Sequence, residues 1–193
     1  RAIELLINHG IEEIAINVHH LPDQIKDFIN SKKYKAKIII SDEQDMLLDT
    51  GGGILHATRS FKKPFVALNP DTLWSDAYFN ELKDLEDLYL KKKKPCLLLV
   101  NKNLSFDSSF KGDFNLHDDV INRDNSNEFI FTGLQILDES VFSSIKDKIF
   151  SMNKIWDYLI EDNSLVGNES KKKFYHLNTK EMYDKILNLK ITD

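Results

Sequence analysis

Short apolar runs alternate with stretches whose apolar residues recur at helical spacing, and this rhythm limits the chain to few architectures. Ile3, Leu6 and Ile7 mark a helix over residues 2–9. Glu13–Val18 reads as a short buried strand, Leu21 to about Asn30 as a helix, and Ala36–Ile40 as a strand. A glycine-rich turn at Gly51–Gly53 then opens a helix to about Ser60, followed by a strand Phe65–Leu68, a helix from about Asp76 to Lys92, and a strand Pro95–Val100. Alternation of this kind predicts an α/β fold with a mostly parallel sheet and helices on both faces.

Beyond Val100 the rhythm changes. Residues 103–127 are rich in Asn, Asp and Ser and predict a loop-dominated excursion with a short strand near Asp113–Leu116. Phe129–Leu137 reads as a strand, Asn153–Ile160 as a helix, Phe174–Leu177 as a short strand, and Thr179–Leu189 as a closing amphipathic helix with Thr179 as its N-cap. The length of 193 residues fits one domain spanning 1–193. Doubly wound domains open with a strand that carries the first phosphate-binding turn, whereas this chain opens with a helix. The expectation is a domain truncated at its N-terminus, without its first strand and phosphate loop.

Composition narrows the partners. A net charge of -5 argues against a nucleic-acid backbone, and no apolar run approaches the length of a spanning helix, so nucleic acid and membrane are both set aside. No secretion signal opens the chain, which predicts a cytoplasmic protein. Cys96, the single cysteine, lies in the apolar run Pro95–Val100 and reads as a small buried hydrophobe. Only three of the 26 basic residues are arginine, so the lysine runs 91–94 and 171–173 read as solvated surface.

Two segments carry chemistry. In Leu48–Ile54, three successive glycines permit positive φ and let a flat ligand approach the backbone at a helix start; a plain tight turn is the alternative. In Phe65–Trp74, an apolar strand delivers Asp71 just past its carboxyl end, where open α/β sheets bind ligands. A carboxylate there can hold Mg²⁺, or it can simply cap the Asn69-Pro70-Asp71 turn. His19 and His20 point to opposite faces at a strand end, and His117 sits in a polar loop. His176, just ahead of the last helix cap, is the remaining candidate ligand.

Five motifs in order, Ile16–Ile25, Leu48–Ile54, Leu68–Trp74, Phe131–Leu137 and His176–Thr179, resemble the bacterial sugar-1-phosphate nucleotidyltransferases. Within that group the chain looks closest to the N-acetylmuramate 1-phosphate uridylyltransferases and mannose-1-phosphate guanylyltransferases. The resemblance implies a Rossmann-like mixed sheet, Mg²⁺ as cofactor, and transfer of a nucleoside monophosphate from a nucleoside triphosphate to a sugar 1-phosphate, feeding nucleotide-sugar and cell-wall synthesis. It places Gly51, Gly52, Gly53 and Asn69 at the nucleotide and Asp71 on the metal. Thr132, Gly133 and Asp113 fall at the sugar, with Gly112, Trp156 and Asp157 as weaker suggestions.

The chain departs from the family at three points. Pro70 stands where the family has glycine, His176 where it has a second metal carboxylate, and the glycine-rich loop ending in Gly-Thr-Arg is not in this sequence. Imidazole suits Mg²⁺ less well than carboxylate. These departures keep a noncatalytic nucleotidyltransferase-like binding module as an alternative. A nucleotide-sugar glycosyltransferase is weaker, because no second aspartate lies one residue from Asp71; the next acid is Asp76.

Overall fold

A computed structural model of the chain describes residues 1–189. Its elements are α1 (Ala2–Asn8), β1 (Glu13–Val18), α2 (Pro22–Asn30), β2 (Lys37–Asp42), α3 (Asp49–Ala57), β3 (Phe65–Leu68), α4 (Phe79–Lys92), β4 (Cys96–Asn101), β5 (Asn115–His117), β6 (Val120–Asn122), β7 (Phe129–Leu137), α5 (Met152–Glu161), β8 (Val166–Ser170) and α6 (Lys180–Asn188). The α/β expectation holds. Six strands form one sheet in the order β3-β7-β4-β8-β6-β5, and β1 and β2 form a separate parallel pair. Pairing directions set β3, β4, β8 and β5 running one way, with β7 and β6 opposed.

Alternation along β4 builds a core on each face. Cys96 and Leu98 pack with α1 and with Leu82, Leu85 and Tyr89 of α4. Leu97 and Leu99 pack on the opposite face with Met152, Ile155 and Trp156 of α5. A strand covered on both sides needs a continuous apolar run, which Cys-Leu-Leu-Leu-Val supplies. Cys96 is fully buried and its thiol is pushed up to about 12 by burial, so it is a core residue with no thiolate at neutral pH. The caps follow the sequence: Thr179 accepts from the Met182 N–H at 3.1 Å at the start of α6. Among the described residues no helix is long and apolar enough to cross a membrane.

Four expectations need correction. Gly51, Gly52 and Gly53 lie within α3, and none of them has positive φ. Their small size serves packing: a Cβ on Gly51 would meet the Phe150 ring, and one on Gly52 would fall 2.4 Å from the Lys148 carbonyl oxygen. The strand β8 went unread because Val-Gly-Asn-Glu-Ser carries little apolar signal; its parallel ladder with β4 holds it in the sheet. The excursion after Val100 contains a hairpin, β5 and β6, whose turn is made by Asp118 and Asp119 with φ of 46° and 68°. Residues 174–177 form isolated bridges, Ser105 with Phe174 and Thr72 with His176, in place of a strand.

Candidate active site

Asp71 sits in a loop fixed from two sides. A bulge in β7 breaks its register with β4 between Leu97 and Leu99. There Gly133, at φ 95°, offers its carbonyl to the Asn69 N–H at 2.9 Å, and the Thr132 carbonyl accepts from the Thr72 hydroxyl at 2.7 Å. The Trp74 indole N–H donates to the Asn69 carbonyl at 2.7 Å. From the other side, the Leu177 N–H donates to the Asp71 carbonyl and the Leu73 N–H to that of Tyr175, at 2.6 and 2.9 Å. Backbone bonds on both flanks thus set the direction of one carboxylate.

This clamp brings His176 onto Asp71, with Nε2 3.1 Å from Oδ2. The His176 ring holds the Asp71 carboxyl below the usual carboxylate range. Phe174 stacks on the imidazole and Phe110 meets it edge-on. Two polar atoms of the pair, Asp71 Oδ1 and His176 Nδ1, are buried with no hydrogen-bond partner. An unpartnered buried carboxylate oxygen invites an electropositive ligand.

The same atoms test the fit of a magnesium ion. Mg²⁺ takes one or two carboxylates and completes its shell with phosphates and water, so Asp71 Oδ1 fits. No group of three or more metal-ligating side chains exists among the described residues, and such a site does not require one. His176 fits less well. A metal-bound imidazole needs an acceptor for its other N–H, and Nδ1 is buried with no hydrogen-bond partner, the rings of Phe110 and Phe174 lying against the imidazole. With its proton on Nε2, His176 instead donates to Asp71 and leaves a bare lone pair at Nδ1.

The glycines divide. The N–H groups of Gly51 and Gly52 both donate to the Phe150 carbonyl, so they do not face a ligand. Gly53 does line an open space, a cavity of about 230 Å³ shared with Asn17, Asn69 and Pro70. A buried acid that sequence reasoning missed stands behind it: Glu43 is 7% exposed and accepts from the Asn17 amide, which also donates to the Gly53 carbonyl at 2.9 Å. Its only signal was a carboxylate directly after a strand.

The residues expected at the sugar lie around the bulge. The Thr132 hydroxyl is committed to the Leu98 carbonyl at 2.8 Å and the residue is fully buried, so its side chain serves the sheet. Asp113 Oδ2 accepts from the Phe131 N–H at 2.9 Å. Gly112 has φ 90°, Trp156 donates to Gln135, and Asp157 pairs with Arg123. Gly133 is where a side chain is least tolerable, because a Cβ would come 2.9 Å from that of Asn69. Gly133→Ala should cost about 1–3 kcal/mol through strained φ and overpacking, read as a lower urea midpoint. An unchanged midpoint would show that the loop yields freely.

No protein-family model matches the chain. The N-acetylmuramate alpha-1-phosphate uridylyltransferase of Caulobacter vibrioides is 24% identical over 174 residues, covering 86% of this chain and 72% of that protein. Among solved structures, HddC of Yersinia pseudotuberculosis complexed with GMP-PN matches with a TM-score of 0.76 at 21% identity, over 97% of this chain and 82% of that one. UDP-glucose pyrophosphorylase complexed with UDP-glucose matches with a TM-score of 0.74 at 17% identity, over 97% and 84%. In sequence this chain is thus similar to a uridylyltransferase, and in fold to HddC and to UDP-glucose pyrophosphorylase.

Proposed function

We propose that the protein transfers a nucleoside monophosphate from a nucleoside triphosphate to a sugar 1-phosphate, giving a nucleoside diphosphate sugar and pyrophosphate. The observation that carries this reading is Asp71: a clamped carboxylate at the carboxyl end of β3 whose Oδ1 is buried and unpartnered. The uridylyltransferase relative and the nucleotide-bound fold relatives support the same chemistry.

A sugar phosphate oxygen attacks the α-phosphorus and forms a new P–O bond, while the α–β P–O bond breaks and pyrophosphate leaves in line. Asp71 Oδ1 would hold a magnesium ion, which would neutralise charge on the phosphate oxygens. Asp71 holds one ligand position in a fixed direction, and His176 Nε2–H occupies its other oxygen so that the carboxylate cannot rotate. Gly53 and Asn69 lie where the nucleotide would enter, with Asp113 and the Gly133 bulge on the sugar side.

A cationic clamp on the phosphates contributes several powers of ten in rate for such chemistry, and the family's Gly-Thr-Arg loop is not among these residues. Residues 1–193 alone should therefore release pyrophosphate only slowly when assayed with UTP or GTP and sugar 1-phosphates. Turnover at about the median rate of enzymes, on the order of 10 per second, would contradict this. Calorimetry with nucleotides and Mg²⁺ separates enzyme from binding module: metal-dependent binding of the triphosphate supports the enzyme, and binding indifferent to Mg²⁺ supports the module.

His176 gives a further test. Its role as donor to Asp71 predicts that His176→Asn, which keeps a donor, retains most metal affinity, and that His176→Leu loses roughly tenfold. Mn²⁺ binding measured by electron paramagnetic resonance checks this, and a collapse with both variants would make the imidazole a ligand after all.

A further inference from the structure

Among the described residues, three buried side-chain atoms have no hydrogen-bond partner: Asp71 Oδ1, His176 Nδ1 and Ser105 Oγ. The first two belong to the site built around Asp71, and Ser105 lies just beyond it. Buried polar groups are almost always paired, so an orphan hydroxyl beside an orphan ring nitrogen calls for a physical reason.

Backbone pairing brings Ser105 to the pair. Residues 174–176 lie between two neighbours: Thr72 bridges His176 in antiparallel sense, and Ser105 bridges Phe174 in parallel sense. The parallel bridge is closed by the Phe106 N–H on the Phe174 carbonyl and the Phe174 N–H on the Leu104 carbonyl, both at 2.9 Å. Side chains alternate along extended backbone, so Ser105, Phe174 and His176 share one face, while Phe106, Lys173 and Tyr175 share the other. Ring contacts agree on both faces. Phe174 stacks on His176 with centroids 6.0 Å apart, and Phe106 meets Tyr175 at 5.5 Å with Lys173 over both rings. Ser105, opposite Phe174, is therefore the diagonal neighbour of His176.

The two orphans are chemically complementary. With its proton on Nε2, His176 donates to Asp71 Oδ2 at 3.1 Å and keeps a lone pair at Nδ1. A serine hydroxyl carries the donor that such a lone pair accepts, and it turns among staggered positions to present it. The other groups around the ring do not serve. Phe110 and Phe174 are apolar, and Asp107 is an acceptor already engaged by the Ser109 N–H at 2.9 Å and by Asn178. We propose that Ser105 is a positioning residue: its hydroxyl donates to His176 Nδ1, holds the imidazole in the tautomer with the proton on Nε2, and so keeps that proton on Asp71 Oδ2 and leaves Oδ1 as the free oxygen. Its consequence for the metal rests on the reading of Asp71 as a metal carboxylate; the hydrogen-bonded row of Ser105, His176 and Asp71 does not.

Nitrogen-15 NMR of the histidine rings in the polypeptide as its gene encodes it, at one neutral pH and without metal or nucleotide, tests this row. The His176→Asn spectrum identifies the His176 signals. Nδ1 should be unprotonated and Nε2 protonated. Ser105→Ala should move the Nδ1 resonance downfield, toward that of an imidazole nitrogen with no hydrogen bond, and Ser105→Thr, which keeps the hydroxyl, should restore it. Mn²⁺ affinity gives a second readout. Ser105→Ala should weaken it about threefold when His176 is present, and not at all on the His176→Leu background, where no ring remains to be oriented. An Nδ1 resonance unmoved by Ser105→Ala would overturn the proposal, as would a proton on Nδ1. Equal losses of Mn²⁺ affinity on both backgrounds would make Ser105 a packing residue and overturn it too. Because the nitrogen shifts are read without metal, failure of the unmutated polypeptide to bind Mn²⁺ would count against the proposed reaction and not against this hydrogen bond.

Discussion

Asp71→Asn should lower nucleotidyl transfer by about 10²- to 10³-fold in the polypeptide as its gene encodes it, with little change in folding. The substitution keeps the size of the side chain and the backbone bonds to Gly133 and Leu177, which do not involve the carboxylate. It removes the charge and replaces one buried acceptor with an amide. Asparagine keeps an acceptor for the His176 N–H and gives up only the charge that His176 favours, so the loss of stability should be small while the site is disabled. A large rate loss with a nearly unchanged melting temperature would separate a metal-holding Asp71 from one that merely caps a turn. Loss of both activity and stability would support the turn.

The second large effect is expected at Trp74. This side chain is 1% exposed, meets Tyr78 edge-on at 5.0 Å, and donates to the Asn69 carbonyl. Trp74→Ala should destabilise by about 3–5 kcal/mol, combining lost burial, a cavity and an unpaired carbonyl. Trp74→Phe keeps most of the packing and loses the donor, so it should cost less in stability yet still loosen the Asn69–Asp71 turn. Chemical denaturation measures the first effect and metal affinity the second. Equal stability losses in the two variants would show that the indole N–H, and not the ring volume, dominates.

Much of the fold was legible because local pattern and tertiary demand agree. The run Cys-Leu-Leu-Leu-Val is apolar throughout and is covered on both faces; the Thr179 cap and the helix Phe79–Lys92 likewise lie where spacing put them. The misses have a common cause, which is contact across long stretches of chain. Gly51 and Gly52 look like a turn, yet they lie inside α3, and glycine is needed there because Phe150 and the Lys148 backbone approach too closely for a Cβ. β8 has a weak pattern of its own and becomes a strand through β4.

The site was legible in outline and not in its contacts. Asp71 was marked by its place after an apolar strand, which is a local rule. That His176 would touch it depends on a backbone bridge joining Thr72 to a residue more than a hundred positions away. Thr132 and Gly133 were marked by motif alone; the structure gives them the bulge that anchors the Asp71 loop. Asn17 and Glu43 were missed because their importance lies in hydrogen bonds that join distant stretches of chain, Asn17 to the Gly53 carbonyl and to Glu43.

Diffraction from crystals of the encoded polypeptide grown with Mn²⁺ and a nonhydrolysable nucleoside triphosphate, collected near the manganese absorption edge, tests the metal assignment at its source. An anomalous peak within coordination distance of Asp71 Oδ1 is expected, with His176 Nε2 still bonded to Oδ2. A peak bound by other side chains, with Asp71 uninvolved, would contradict it.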